Sequence, residues 1–416
     1  MNFKQHKGER GNIMKIRRTL FAVTLAIVFM FVFAMDVSAG RPGFDDKEIR
    51  IAQFSPQTGP AAPWGSVARG SGLLFQVVNE EGGIHGRKIK YFLRDSQYNP
   101  AMAKAVVKEL VERKGIFAFT GGVSGAGGTA VKGYLAKNKV LWVVPGTAAI
   151  NTVADRDKEF PPSPYRFCSY PLFEDEASIV TKYVVEKLGY KKIGFLYQND
   201  VFGKGGLSGC KQRLDALGMK LVEEIPVEPT EKDLASQMLR FKNSGAEVVL
   251  MWVSPTLAVI TLKTCATVGY KPQWVAFDGL SDYPLMYKIT GGLFEGVITT
   301  AFTETPDSKN PLVAKYHEAA KRLTPEERWG TFYLAGIQFA EPLIEALKRV
   351  GPNLSTEACI KELNSFKNWK GLGGAITWNK NCHQGTDSVQ IQKCGPVGTY
   401  ELLQDWTPNE LATWKK

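Results

Sequence analysis

Three features of this chain have the chemistry to grip a small charged molecule. They are a lone tryptophan in a proline-rich loop, a run of glycines opening a helix, and an acid placed just past a strand. Trp64 lies in Ser55-Pro56-Gln57-Thr58-Gly59-Pro60-Ala61-Ala62-Pro63-Trp64-Gly65. It offers flat apolar area and one N–H donor. The glycine run is Gly121-Gly122-Val123-Ser124-Gly125-Ala126-Gly127-Gly128-Thr129-Ala130. Backbone N–H groups at the positive end of a helix suit a carboxylate or phosphate, and Ser124, Gly125 and Ala126 are the candidate contacts. Further on, Pro145-Gly146-Thr147-Ala148 offers the Thr147 hydroxyl to the same anion, flanked by Gly146 and Ala148. In the second half Phe202, Val253 and Asp278 follow strands. Asp278 suits a ligand ammonium, or alternatively caps the next helix.

The same residue types argue against catalysis. There is no GxSxG, HExxH or paired-acid motif, and no GxxxxGK[ST]. Gly125 to Ala130 fits G-x-G-x-x-A, but after the third strand rather than the first. The next strand ends in Pro145-Gly146, with no acid to hold a ribose, which excludes a dinucleotide. His85 sits in a turn, His317 in a helix and His383 in a C-terminal loop, all three expected at the surface. The expectation is a binding protein, not an enzyme, with no cofactor and no metal.

These candidates need elements to position them. Strands are predicted at 49–54, 88–94, 116–120 and 141–144. After Pro161-Pro162-Ser163-Pro164 others are predicted at 192–197, 221–227, 247–252, 274–277 and 297–302. Helices fall between, marked by Asn99-Pro100 and Ser254-Pro255 as caps with first-turn prolines. More helices are predicted at 311–323, 331–350 and 355–366, and two last strands at 375–378 and 388–393. The alternation predicts an α/β fold of two doubly wound, Rossmann-like parallel-sheet lobes. In such sheets ligands sit beyond the carboxyl ends of strands, where strand order reverses, and that is where the candidates fall.

The first 39 residues read as a secretory signal peptide. Lys15, Arg17 and Arg18 precede a 16-residue apolar run, Leu20 to Met35, and then the small residues Val37-Ser38-Ala39. The run is short of the roughly 20 residues a spanning helix needs. Met14 is a natural alternative start. Net charge is +11, and the leader contributes a good part of it. The remaining Lys and Arg alternate with Asp and Glu, which excludes a nucleic-acid interface. Six cysteines, Cys168, Cys210, Cys265, Cys359, Cys382 and Cys394, would enter an oxidising compartment. At least one disulfide is expected, with Cys382 and Cys394 as the leading pair and Cys168 and Cys265 as buried thiols.

Gly59-Pro60 with Trp64-Gly65, the turn Asn79-Glu80-Glu81-Gly82-Gly83-Ile84-His85-Gly86, Asp95-Ser96 and Asn99-Pro100 together resemble a known family. It is the type I periplasmic binding proteins of branched-chain amino acid ABC transporters, the Leu/Ile/Val-binding protein-like family. The similarity continues through Tyr197 to Gly203 and Phe277-Asp278-Gly279. It implies two lobes, 47–166 plus 302–373 and 167–301 plus 374–416, joined by three crossing segments near 163–170, 299–302 and 372–377. It also implies a periplasmic monomer that closes on its ligand like a Venus flytrap and serves an inner-membrane permease. Residue by residue, Trp64 falls where the family has an aromatic beside the ligand. Gly125 falls near a serine that binds the ligand carboxylate, so Ser124, Thr129 or bare N–H groups would have to substitute. Gly146, Thr147 and Ala148 match the segment that meets both ends of an amino acid. Phe202 stands where tyrosine is usual, and Asp278 where glutamate usually holds the ammonium. The resemblance implies an amino acid, branched-chain or otherwise hydrophobic, or a related small carboxylate. It also leaves open an aromatic acid or amide, and a ligand-sensing receptor in place of a transport one.

Overall fold

The computed structural model describes residues 43–146, 163–412 and 414. The expected leader, and Thr147 and Ala148, lie outside the described residues.

The first sheet is built from β1 (Glu48–Ser55), β2 (Lys88–Asp95), β3 (Ala118–Thr120), β4 (Leu141–Val143) and β5 (Arg166–Phe167). Its order is β2-β1-β3-β4-β5, and every neighbouring pair is parallel. Helix α1 (Gly65–Glu80), α2 (Pro100–Glu109) and α3 (Gly125–Lys137) connect these strands. Asn99 caps α2, its Oδ1 accepting from the N–H groups of Ala101 and Met102 at 2.9 and 3.1 Å. Gly115 beyond it turns left-handed with φ 63°, as a helix stop requires.

The second sheet follows. Its members are β6 (Ile193–Gln198), β7 (Glu223–Val227), β8 (Val248–Trp252), β9 (Gln273–Ala276), β10 (Ile298–Ala301), β11 (Val389–Cys394) and β12 (Tyr400–Thr407). The order is β12-β11-β10-β9-β8-β6-β7. Helices α4 (Phe173–Glu186), α5 (Val201–Ala216), α6 (Ala235–Ser244), α7 (Pro255–Thr267) and α8 (Tyr283–Thr290) link its parallel strands. Strand β8 reads VVLMW and is buried along its whole length, as a strand covered by helices on both faces must be.

Three more helices, α9 (Pro311–Leu323), α10 (Thr331–Val350) and α11 (Thr356–Leu363), return to the first sheet. Helix α10 packs on α1 closely enough that a Cβ on Gly336 would lie 1.8 Å from the Val67 carbonyl oxygen, and one on Gly70 1.9 Å from that of Tyr333. The glycines therefore set the crossing distance, and they bring the start of α10 to the cleft.

One predicted strand needs correction. Residues 375–378 form no strand; Ile376 makes only an isolated bridge with Trp369, in an irregular run of backbone where Gly371 packs against Glu341 and Gly373 against Gln338. The two parallel-sheet lobes are as expected, and the second sheet adds β11 and β12 at one edge, β11 antiparallel to both β10 and β12. Strand β12 was not expected from its sequence, YELLQDWT, whose residues are all half-buried or exposed at the sheet edge.

The chain passes between sheets beside itself. The Glu304 N–H donates to the Leu372 carbonyl at 2.8 Å, the Cys168 N–H to His383 at 2.8 Å, and the Gly385 N–H to Cys168 at 2.7 Å. His383 is thus no surface residue. It is 4% exposed and stacks on Phe167 at 3.9 Å. Its Nδ1 faces the carbonyls of Ser163 and Arg166, and burial pushes its pKa down to about 4. The Cys382–Cys394 bridge does not form. Cys394 is a buried free thiol, pushed up to about 12 by burial. Cys382 packs instead against the separate small cluster of Leu172, Ala412 and Trp414.

Candidate functional site

The strand order of the first sheet reverses between β1 and β3, and that of the second between β6 and β8. Loops leaving those strands meet over one cavity of about 50 Å³.

From the first sheet come Trp64, Ser124, Gly125 and Gly146. Trp64 starts α1 and is 5% exposed. Its Nε1 donates to the Gly279 carbonyl of the opposite lobe at 2.7 Å, and its ring meets Phe202 and Phe277 edge-on at 6.2 Å. Thr256 donates from the second lobe to the Pro60 carbonyl at 2.7 Å, so the loop is held at two points. Ser124 sits at the N-cap of α3, its Oγ accepting the Gly127 N–H at 2.9 Å. A Cβ on Gly125 would meet Val201 Cγ2 at 3.0 Å. The glycine run therefore lets the two lobes approach, besides presenting a helix end. Val144, just before Pro145-Gly146, is a β-branched residue held at φ 51°, a conformation such residues rarely adopt.

From the second sheet come Phe202 and Asp278. Asp200 caps α5 through the N–H groups of Phe202 and Gly203, which fixes Phe202 at the first turn. Ala126 and Val253 do not line the cavity. Ala126 lies past the helix start, half-buried, and Val253 is fully buried in the core.

Most of the wall was not foreseen. It is aromatic: Tyr98, Tyr170, Phe173, Phe277, Phe302, Phe332 and Phe339, with Val67, Val123 and Ala335 between them. Tyr170 follows β5, Phe173 opens α4, and Phe332 and Phe339 lie on α10, one chain segment apart from every sequence motif. Phe277 alone had a local signal, its position beside Asp278. No Lys, Arg or His lines the cavity among the described residues, and no cluster there is arranged to hold a metal.

The polar end is Asp278. It is 1% exposed. Its Oδ1 accepts the Tyr170 hydroxyl at 2.7 Å, and its Oδ2 has no partner among the described residues. Its own N–H donates to Glu176 Oε1 at 2.9 Å. Thr300 donates to the same oxygen, while Glu176 Oε2 is unpartnered. Burial, and then the Glu176 charge, push the Asp278 carboxyl well above the ordinary carboxylate range. Burial pushes Glu176 up to about 7. Phe277, not Asp278, stands at the N-cap of the short 3₁₀ turn Asp278–Leu280, and α8 is capped by Asp282, whose Oδ1 accepts the Leu285 N–H at 3.3 Å.

A family model described as "Periplasmic binding protein" matches residues 48–398. The chain belongs to that family. Members bind ligands rather than transform them. "Leu/Ile/Val-binding protein homolog 3" of Brucella melitensis is 25% identical over 374 residues, 89% of this chain and 97% of that relative. "Leu/Ile/Val-binding protein homolog 2" of Brucella abortus is 28% identical over 344 residues, covering 80% and 86%. Among solved structures, a fatty acid ABC transporter substrate-binding protein from Thermomonospora curvata superposes with TM-score 0.80 at 22% identity, covering 89% of this chain and 95% of that one. A branched chain amino acid ABC transporter from Thermus thermophilus with bound valine gives 0.77 at 16% identity, covering 88% and 98%. At these identities the structural likeness establishes the two-lobed fold. Among the described residues no helix is long and apolar enough to cross a membrane.

Proposed function

We propose that this periplasmic binding protein is the exported receptor of an ABC transporter, capturing an amino acid with an apolar side chain and passing it to an inner-membrane permease. The leader 1–39 directs export. The lobes, 47–166 with 302–373 and 167–301 with 374–416, close on the ligand. The glycine run with Gly146, Thr147 and Ala148 receives the carboxylate, the aromatic wall the side chain, and Asp278 the ammonium.

One observation supports this above the others: Asp278 is almost fully buried and lines the cavity, and its Oδ2 lacks a partner. A buried charge left alone is costly, and a ligand cation removes that cost. The apolar wall, and a structural neighbour titled for a fatty acid, favour a second reading, a small apolar carboxylate without an amine. A thermal-shift screen separates the two, because a ligand that binds only the folded state raises the melting temperature. L-Leucine, L-isoleucine, L-valine and L-phenylalanine are expected to stabilise, and 4-methylpentanoate, which is leucine without its amine, is not. Stabilisation by 4-methylpentanoate alone would select the second reading.

A further inference from the structure

We propose that Glu176 and Asp278 hold one proton between them beside the cleft, and that a ligand ammonium displaces it, so that capture of an amine releases a proton. The inference rests on the amine-binding reading and extends it to a residue, Glu176, that no sequence motif marked.

The geometry places two carboxyl groups together in a dry place. Glu176, in the first turn of α4, is 0% exposed and Asp278 is 1% exposed. They are tied by the Asp278 N–H to Glu176 Oε1 bond at 2.9 Å. Each carboxyl has one oxygen satisfied, Glu176 Oε1 by that N–H and the Thr300 hydroxyl, and Asp278 Oδ1 by Tyr170. Each has one oxygen without a partner among the described residues, Oε2 and Oδ2.

The titratable groups around the pair are all acids or weak acids. The segment after β5 brings Tyr170, with Cys168 behind it donating to the Tyr170 carbonyl at 3.4 Å. Strand β10 brings only the neutral Thr300, and the turn after β9 brings Asp278 itself. No lysine, arginine or histidine lines the cavity among the described residues. Two like charges in a low-dielectric site do not both stay ionised. The upward pressure on both groups agrees.

The balance is simple. With no ligand the pair carries two carboxylates and one proton, a net charge of −1. When an ammonium arrives it meets Asp278, which lines the cavity with Glu176 buried behind it; its positive charge takes the place of the proton, the proton leaves to water, and the net charge is again −1. A carboxylate lacking the amine gives the proton no reason to leave. Glu176 therefore acts as a specificity-determining residue for amines.

The test is titration calorimetry of the wild-type protein with L-leucine and with 4-methylpentanoate at pH 7, in phosphate and in Tris. For leucine the heats should differ between buffers by about one proton's ionisation enthalpy, and affinity should weaken by up to ~tenfold per pH unit from 7 towards 5. Leucine binding with equal heats in both buffers overturns the inference and leaves the receptor reading standing. The ligand-free protein gives a second readout. A carboxyl raised in the folded state adds stability that is full below its unfolded value of 4.5 and is lost as pH rises to its folded value of about 7. Wild type should therefore lose more melting temperature between pH 5 and 7 than Glu176→Gln; Glu174 and Glu341, both also raised to about 7, contribute equally to each. Parallel curves overturn the shared proton. If leucine fails to bind while the curves diverge, the proton pair stands for the ligand-free protein, but its expulsion by an amine is refuted together with the amino-acid reading.

Discussion

The two faces of the cleft present charge by different means. On the first lobe, Ser124 and Gly125 open α3, and what faces the cavity is backbone and a helix end with a partial positive charge. On the second lobe, Asp278 brings a buried carboxyl group to the cavity with that of Glu176 behind it, backed by Tyr170 and Thr300. Partial charges from a backbone are tolerant, because removing one side chain leaves the others in place. A buried carboxylate pair is not, since a single substitution changes the net charge of the site.

The contrast orders the expected effects. Asp278→Asn keeps the shape and removes the ammonium partner. It should cost about 2–5 kcal/mol of amino-acid binding, the scale for truncating one member of a buried charge pair, read by calorimetry with L-leucine. Trp64→Ala acts on both faces at once, since it removes the bond to Gly279 and the contacts with Phe202 and Phe277. It should cost about 2 kcal/mol of affinity, as loss of a central aromatic anchor does. It should also leave the ligand-bound protein more open, with a larger radius of gyration in small-angle scattering than wild type. Ser124→Ala is the smallest change. It removes the cap on Gly127 and should cost about 1 kcal/mol of folding stability in denaturant titration, with a smaller loss of leucine affinity than Asp278→Asn. A loss as large as that of Asp278→Asn would mean the first lobe grips through the serine hydroxyl and not through its backbone.

The same contrast explains what the sequence disclosed. The first face is local: a strand, a glycine run and a helix start lie within ten residues, and their periodicity and caps mark them. Trp64, Ser124, Gly125, Gly146, Phe202 and Asp278 each stand just after a strand, and all line one cavity. Glu176 has no such mark. It is one of three acids in the first turn of α4, where acids are common for reasons of helix electrostatics alone, and only the fold brings it 2.9 Å from the backbone of a residue 102 positions away. The aromatic wall is hidden for the same reason, being assembled from five separate segments. Strand β12 and the burial of His383 were illegible because edge pairing and packing against Phe167 are long-range properties. The cysteines misled through spacing: Cys382 and Cys394 are near in sequence, but one packs at the small Trp414 cluster and the other in the main core.

The central claim is that Asp278 meets a ligand ammonium across the cleft from a carboxylate held by the other lobe. A double-mutant cycle tests it most directly, with wild type and Asp278→Asn each titrated with L-leucine and with 4-methylpentanoate, so that protein charge and ligand amine are removed separately and together. The account expects a coupling energy of at least about 2 kcal/mol between the carboxylate and the amine. Additive effects, with coupling below about 0.5 kcal/mol, would contradict it and leave Asp278 a buried structural acid.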